Sequence, residues 1–545
     1  MAALNPTIIF EAGGKRYVTT EAIPFQSPTN TPLTSQLVAV FANHDGIALN
    51  KAWLETYLDK LDGCDVYDRN LFLSGVIITT PHRGQAVLQD SWEYLKELGM
   101  KWLDVIVEGD EAHLPTGPYL YTDNKLHPVC RLYDDENGAF FSGLKPKLEL
   151  AYYELSEPAT FTADVIQSLI DEGAYILGLT KLSSMIAREE PVDAIDYSIA
   201  FNPRGDGYQS PAGSSNGGAA AVAAYDWLDC AIGTDTSGSG PRPALVNGVW
   251  QFRPSHDSIS LRGLVKTYAM FDTPCVFARS LDVILRVAKT WIAAPLDVRK
   301  RPYRLFYPLD YLPTGNLEQM KIIDSFIQDI ETHLPATIIP LSTRSSWHRL
   351  HPPEASDDVE QYLHDVIRRT FYHQFYYSTA RFRKLYAERH DGQQPYVIPF
   401  VRRRWNLGAS VSGAEHEEAT RRLLVYRKWL HNQFFGDENF ETFVILPVAE
   451  VKPVYRDEKA ESPETQSACD QLFLPPILGS PDVVVPIGET PYHSKISNKI
   501  EYPPVVANIV ATPGRDHELL EAVHIILERS GRSEVVHTGS KIFIP

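Results

Sequence analysis

Cysteine is scarce in this chain: Cys64, Cys130, Cys230, Cys275 and Cys469 are the only five among 545 residues. They are odd in number, far apart and never arranged as CxxC. That excludes a disulfide framework and a thiolate zinc site, and it suits free thiols in a reducing compartment. HExxH and paired HxH motifs are also missing, so no metal and no cofactor is expected. No run of 18 apolar residues occurs, and MAALNPTIIFEAGGKRY lacks the basic start and long apolar stretch of a signal peptide. Excess positive charge is absent as well. The 51 Lys and Arg face 69 Asp and Glu, a net charge of −18, without the basic footprint that general nucleic-acid binding needs. The expectation is a cytoplasmic globular protein that uses neither nucleic acid nor membrane as a partner; a homodimer is left open.

What is present is ordinary for such a protein: 44% hydrophobic, 22% charged and 11% aromatic residues, with 39 prolines that imply many irregular connections. The length exceeds one simple core and suits a large domain plus a small one. Residues 1–143 read as a small α+β domain. It has β-rich runs at 7–10, 15–19, 37–41 and 72–80, a hairpin turn at Gly13-Gly14, and amphipathic helices at 50–61 and 89–98. From about 144 to 545 helices and apolar strands alternate. A helix is predicted over 162–172, stopped by Gly173, then a buried-type strand over 174–179. Further on come a helix over 218–228, strands at 230–233, 482–486 and 503–511, and a helix over 516–529. This alternation predicts an α/β fold, a mixed central sheet covered by helices on both faces. Residues 295–440 read as a helix-rich cap or insertion, and 452–470 as a loose surface loop.

The chemistry concentrates between residues 210 and 243. Two loops, GSSNGG at 213–218 and TDTSGSG at 234–240, flank a small-residue helix and a short apolar strand. Gly213, Gly217 and Gly218 permit tight turns and close backbone approach. The hydroxyls of Ser214, Ser215 and Ser239 stand beside freely turning backbone. The N–H groups of Thr236, Ser237, Gly238 and Ser239 are placed to converge as an oxyanion hole. A serine nucleophile needs such a pair of loops: one attacking oxygen, donors for the oxyanion, and a second hydroxyl to relay the proton. Taken singly, each loop has a plainer reading, with a serine as helix N-cap. Gly213-Ser214-Ser215-Asn216-Gly217 also satisfies G-x-S-x-G formally, but the nucleophile elbow needs a strand before it, and residues 204–212 are rich in Gly and Pro. His256 reads as a structural histidine.

Together the two loops resemble the amidase signature family, whose pattern is GGSSGG, an Ala-rich helix, then GTDTGGS and Pro; here these read GSSNGG, AAAVAA, GTDTSGS and Pro243. NPRGDGY at 202–208, GVWQFRPS at 248–255, FDTPCVFARS at 271–280, SPDVVVPIG at 480–488 and PGRDHELL at 513–520 fit further blocks of a largely fungal branch. In that branch a small scytalone dehydratase-like N-terminal domain precedes the amidase, and residues 1–143 look like it. The resemblance implies a Ser–Ser–Lys mechanism on a small-molecule amide. Ser239 is the nucleophile, and Ser215, 24 positions earlier, is the bridging serine that follows a cis peptide. Thr236, Ser237, Gly238 and Ser214 surround oxyanion and substrate. A buried neutral lysine is the base.

The chain departs from the pattern where that lysine belongs. No VKD block is present near residue 140, and the block that carries it is missing between Gly143 and Ala151. Lys145 and Lys147 are the lysines nearby; Lys181 lies two positions beyond Leu179, which replaces the family's GKT lysine. A true deletion, a misplaced exon boundary and rescue by Lys145 or Lys147 all stay open. So does a second class of function, a non-hydrolysing relative that binds a ligand in the same cleft. Pro241 replaces an expected arginine, with Arg242 one position later. Loss of the block is expected to uncover a sheet edge. Residues 402–408 and the Tyr-rich stretch 371–386 are candidates for substrate lining, with ordinary aromatic packing favoured for both. The acidic charge gives no support to a role in tRNA transamidation.

Overall fold

The computed structural model describes residues 7–19, 22–25, 35–43, 46–81, 87–107, 114–146, 152–154, 162–187, 190–194, 198–293, 301–459 and 466–543. They fall into two compact units, 1–134 with 143–159, and 135–142 with 160–545. The strand Phe140–Pro146 crosses the division, so the chain passes between units more than once rather than at a single boundary near 143.

In the first unit Gly13-Gly14 turns the hairpin Ile9–Ala12/Lys15–Thr19. The strands Gln36–Ala42, Gly75–Thr80 and Trp102–Val107 run parallel, joined through the helices Lys51–Asp62 and Gln89–Glu97. Apolar residues spaced three and four apart, Trp53, Leu54, Leu58 and Leu61, seat the first helix on the sheet, and Asn50 caps its start. The run expected as one strand over 72–80 ends a short helix, Arg69–Phe72, before the strand begins at Gly75.

The second unit is built on an eight-stranded mixed sheet. Its order is Cys230–Asp235, Thr273–Ala278, Trp250–Arg253, Asp482–Glu489, Pro504–Ala511, Glu441–Pro447, Tyr303–Pro308 and Ala336–Leu341. Tyr303–Pro308 pairs in parallel with Ala336–Leu341 and with Glu441–Pro447, and the other pairings in this sheet are antiparallel. The strands near the centre are continuous apolar runs because both faces are covered. The helices Leu281–Trp291, Leu317–His333 and Asp516–Ser530 cover one face; Asn216–Ala224 and Pro241–Asn247 lie on the other. Two of these strands come from 295–440, so that region is not only a cap. It completes the sheet up to Leu341 and turns helical from Thr343 to Phe435, with Phe371, Tyr372, Trp405 and Tyr426 in a second core.

Two expectations are corrected. Within 174–179 only Gly178–Thr180 belongs to a strand, and Tyr175 is 76% exposed. The strand is an edge of a three-stranded sheet in which, among the described residues, it pairs with Phe140–Pro146, and Leu179 is left exposed. Residues 452–470 are anchored at both ends, Tyr455 bridging to Gln209 and Cys469 buried; 460–465 lie outside the described residues.

The NPRGDGY block is structural. Arg204 is wholly buried and donates to the carbonyls of Asn247, His537, Gly539 and Lys541 at 2.7, 2.7, 2.8 and 3.0 Å. Burial pulls its pKa down to about 9. Arg204→Ala leaves these carbonyls without a donor and is expected to cost at least about 3 kcal/mol, read as a fall in ΔG of denaturant unfolding.

Candidate active site

The small-residue helix Asn216–Ala224 packs so closely that side chains beyond methyl groups are excluded along most of it. A Cβ on Gly217 would stand 2.3 Å from the Ala139 carbonyl and 2.5 Å from the Lys181 amide nitrogen. That fit carries the GSSNGG loop against the sheet edge. The Ser215 hydroxyl makes no N-cap bond. It bridges instead to the edge strand Cys230–Asp235, accepting from Thr234 N–H at 3.3 Å and donating to Thr234 C=O at 3.2 Å. Gly233 is required there, because its Cβ would meet Ser215 Oγ at 2.7 Å. Among the described residues Cys230–Asp235 is the terminal strand of the sheet on this side.

The structure brings the two loops together. Ser215 N–H donates to the Ser239 carbonyl at 3.4 Å. Ser239 is half-buried, just before the helix Pro241–Asn247. A cis peptide joins Gly213 to Ser214, one residue earlier than the resemblance implied for Ser215. The Ser214 hydroxyl is buried and has no hydrogen-bond partner among the described residues, while its carbonyl accepts from Ser183 N–H at 2.9 Å.

Two carboxylates shape the Ser239 loop. Asp235 Oδ1 accepts from the N–H groups of Gly238 and Gly240, both at 2.9 Å. Its Oδ2 stands 3.1 Å from Arg253 Nε, in an ion pair that is 1% and 0% exposed. Arg253 also donates to the carbonyls of Ser480 at 3.0 Å and Phe271 at 2.7 Å. Asp272 accepts from the hydroxyls of Thr236 at 2.6 Å and Thr267 at 2.7 Å, and from the N–H groups of Thr267 and Tyr268. Burial raises the Asp272 pKa, and those donors oppose the rise. Of the expected oxyanion donors, the Gly238 N–H is engaged by Asp235. Among the described residues nothing accepts from the N–H groups of Thr236, Ser237 and Ser239.

Arg242 N–H donates to the Gly238 carbonyl at 3.1 Å, and its guanidinium lies 3.9 Å from Glu190, whose other oxygen accepts from Ser210 at 2.8 Å. Beside the loop, Ile186 lines a cavity of about 10 Å³ with Thr234, Thr236, Lys266 and Asp272, room for about one water. Ile186 holds φ at 55°, a left-handed conformation that costs a β-branched residue backbone strain.

Lys181 Nζ donates to the Ser198 carbonyl at 2.8 Å, and burial lowers its pKa. Lys145 lies in the strand Phe140–Pro146, and Lys147 is outside the described residues. His256 bonds the Ala269 carbonyl at 2.8 Å, a structural role. A cavity of about 600 Å³ is lined by Tyr396, Arg402, Arg403 and Asn406; no residue of either serine loop is among its described lining.

Sequence reasoning missed Arg253, Asp272 and Asp482. The signal available was a charged residue inside an apolar strand, as in VWQFRP and SPDVVVP. Asp482 is wholly buried, and burial pushes its pKa up to about 8, with Asp235 adding to the rise and Arg253 opposing it.

Residues 152–309 match the Amidase family model. The chain is 37% identical over 153 residues to Amidase 1 of Oryza sativa subsp. japonica, covering 28% of this chain and 34% of that protein. It is 25% identical over 366 residues to a glutamyl-tRNA(Gln) amidotransferase component of Natronomonas pharaonis, covering 61% of this chain and 82% of that one. A crystal structure of an amidase superposes with a TM-score of 0.51 at 20% identity, over 73% of this chain and 81% of the other. The alignments span about a third of the length of the first curated relatives. These matches support the amidase signature family for the segment that holds both loops, and its fold for the second unit. No helix among the described residues is long and apolar enough to cross a membrane.

The buried Asp482 has a consequence for stability. Between about pH 4 and about 8 the folded chain keeps a proton that the unfolded chain has released, so stability from this group falls as pH rises and levels off above 8. Asp482→Asn removes the slope. The gap in unfolding free energy, variant minus wild type, is expected to widen by about 3 kcal/mol or more from pH 4.5 to 8.5 in denaturant titrations.

Proposed function

We propose that the chain is an amide hydrolase acting on a small carboxamide or acyl amide. Ser239 Oγ attacks the carbonyl carbon and its proton passes through a neighbouring hydroxyl. The C–N bond breaks as the leaving nitrogen takes that proton, and water then frees the acid from the acyl-enzyme. The observation that carries the reading is the direct contact of the two serine loops, Ser215 N–H on the Ser239 carbonyl, beside three amide donors not committed to other described groups. Those donors, at Thr236, Ser237 and Ser239, receive the oxyanion.

Of the two candidate relay serines, Ser214 has the uncommitted hydroxyl and Ser215 is tied to Thr234. The relay is accordingly assigned to Ser214, with Ser215 as the clamp between loop and strand. Lys181 is engaged by Ser198; whether Lys145, Lys147 or no lysine acts as base stays open, as the sequence left it. The fungal-branch resemblance adds a scytalone dehydratase-like first domain and a role in secondary metabolism or detoxification of amides, and the few scattered cysteines favour a cytoplasmic setting.

Fluorophosphonate labelling with peptide mapping tests the reading. The label is expected on the peptide that holds Ser239 and is expected to vanish in Ser239→Ala. Ser214→Ala is expected to slow labelling by about 100-fold or more and Ser215→Ala by less. The reverse order returns the relay to Ser215. A folded protein that does not label is a non-hydrolysing relative.

A further inference from the structure

Arg253 and Asp482 are cross-strand partners, and side chains opposite each other in an antiparallel pair share a face. Gln251, two residues before Arg253, and Asn508 on the next strand lie on that same face, below the nucleophile loop. Asp235, Gln251, Arg253, Cys275 and Asp482 are all buried. Neither carboxyl oxygen of Asp482 makes a well-formed hydrogen bond among the described residues. The titratable groups that face Asp482 are Arg253 from Trp250–Arg253, Asp235 from Cys230–Asp235 and Cys275 from Thr273–Ala278; Asn508 from Pro504–Ala511 is neutral. One guanidinium thus stands between two carboxyls.

We propose that Asp482 is a positioning residue for the Ser239 loop, acting through Arg253 on Asp235, and that only its protonated form leaves the loop correctly held. With Asp482 neutral, Arg253 and Asp235 balance, and Asp235 Oδ1 holds the Gly238 and Gly240 amides. When Asp482 ionises, two buried anions compete for one cation. Arg253 is drawn toward Asp482, Asp235 Oδ2 loses its partner, and the carboxylate must turn. That turn disturbs the two amide bonds that set the loop on both sides of Ser239. This inference rests on Ser239 being the nucleophile.

The test is the rate of fluorophosphonate labelling of the full chain from pH 6 to 10, each protein normalised to its own rate at pH 7. Wild type is expected to lose labelling above about pH 8, approaching tenfold per pH unit. Asp482→Asn and Asp482→Ser are expected to lack that descending limb. A merely structural Asp482 would affect thermal stability below pH 8 and leave labelling flat above it, so melting curves at each pH separate the two roles. The proposal is overturned if wild type shows no loss above pH 8, a result that needs no variant, or if either variant falls in parallel with it. A folded wild type that never labels removes the Ser239 reading and this proposal with it. Wild-type labelling with an unchanged basic limb removes this proposal alone.

Discussion

The buried pair of Asp235 and Arg253 is the constraint on which the rest of the site depends. A glycine- and serine-rich loop has no preferred shape of its own, because glycine opens backbone conformations that other residues close. Asp235 supplies the missing specification with one oxygen on two amides and the other on a guanidinium. Arg253 extends the restraint to the Ser480 and Phe271 carbonyls, so the loop is referenced to three segments of the sheet region. A charge with no access to water is costly unless paired and hydrogen-bonded, and this one is both. Asp272 performs the same service at Thr236.

Much of this arrangement was legible in the chain and some of it was not. The two loops, the small-residue helix between them and the strand into the second loop stand where the sequence places them, because Gly, Ala and Ser in those numbers leave few alternatives to close packing. The mixed sheet with helices on both faces follows from apolar runs alternating with amphipathic ones. The misreadings have physical causes. Residues 174–179 are apolar enough to be buried, but burial needs a neighbour, and periodicity does not say whether one exists. The Gly238 amide counts among the expected oxyanion donors because spacing does not reveal that a carboxylate three residues earlier turns back to accept from it. Counting positions likewise does not show that the Ser215 hydroxyl contacts Thr234 while that of Ser214 has no partner among the described residues.

Several motif blocks turn out to be architecture. Arg204 gathers the segment 537–541, and Arg279 collects the carbonyls of Val222, Tyr225 and Leu228 at the end of the small-residue helix. Both keep the serine loop seated from a distance. On the proposed reading the chemistry is left to few groups: Ser239, a second hydroxyl, and the amides of one turn. Lys181, for its part, is held by a carbonyl of its own neighbourhood.

A crystal structure of the chain after reaction with a fluorophosphonate tests the central claim most directly. The account expects a phosphonyl group on Ser239 Oγ. Its oxygen should face the Thr236, Ser237 and Ser239 amides, with Gly238 and Gly240 still on Asp235 and Arg253 still paired. An adduct on another serine, or an oxygen bound by the Gly238 amide with the Asp235 contact broken, would contradict it.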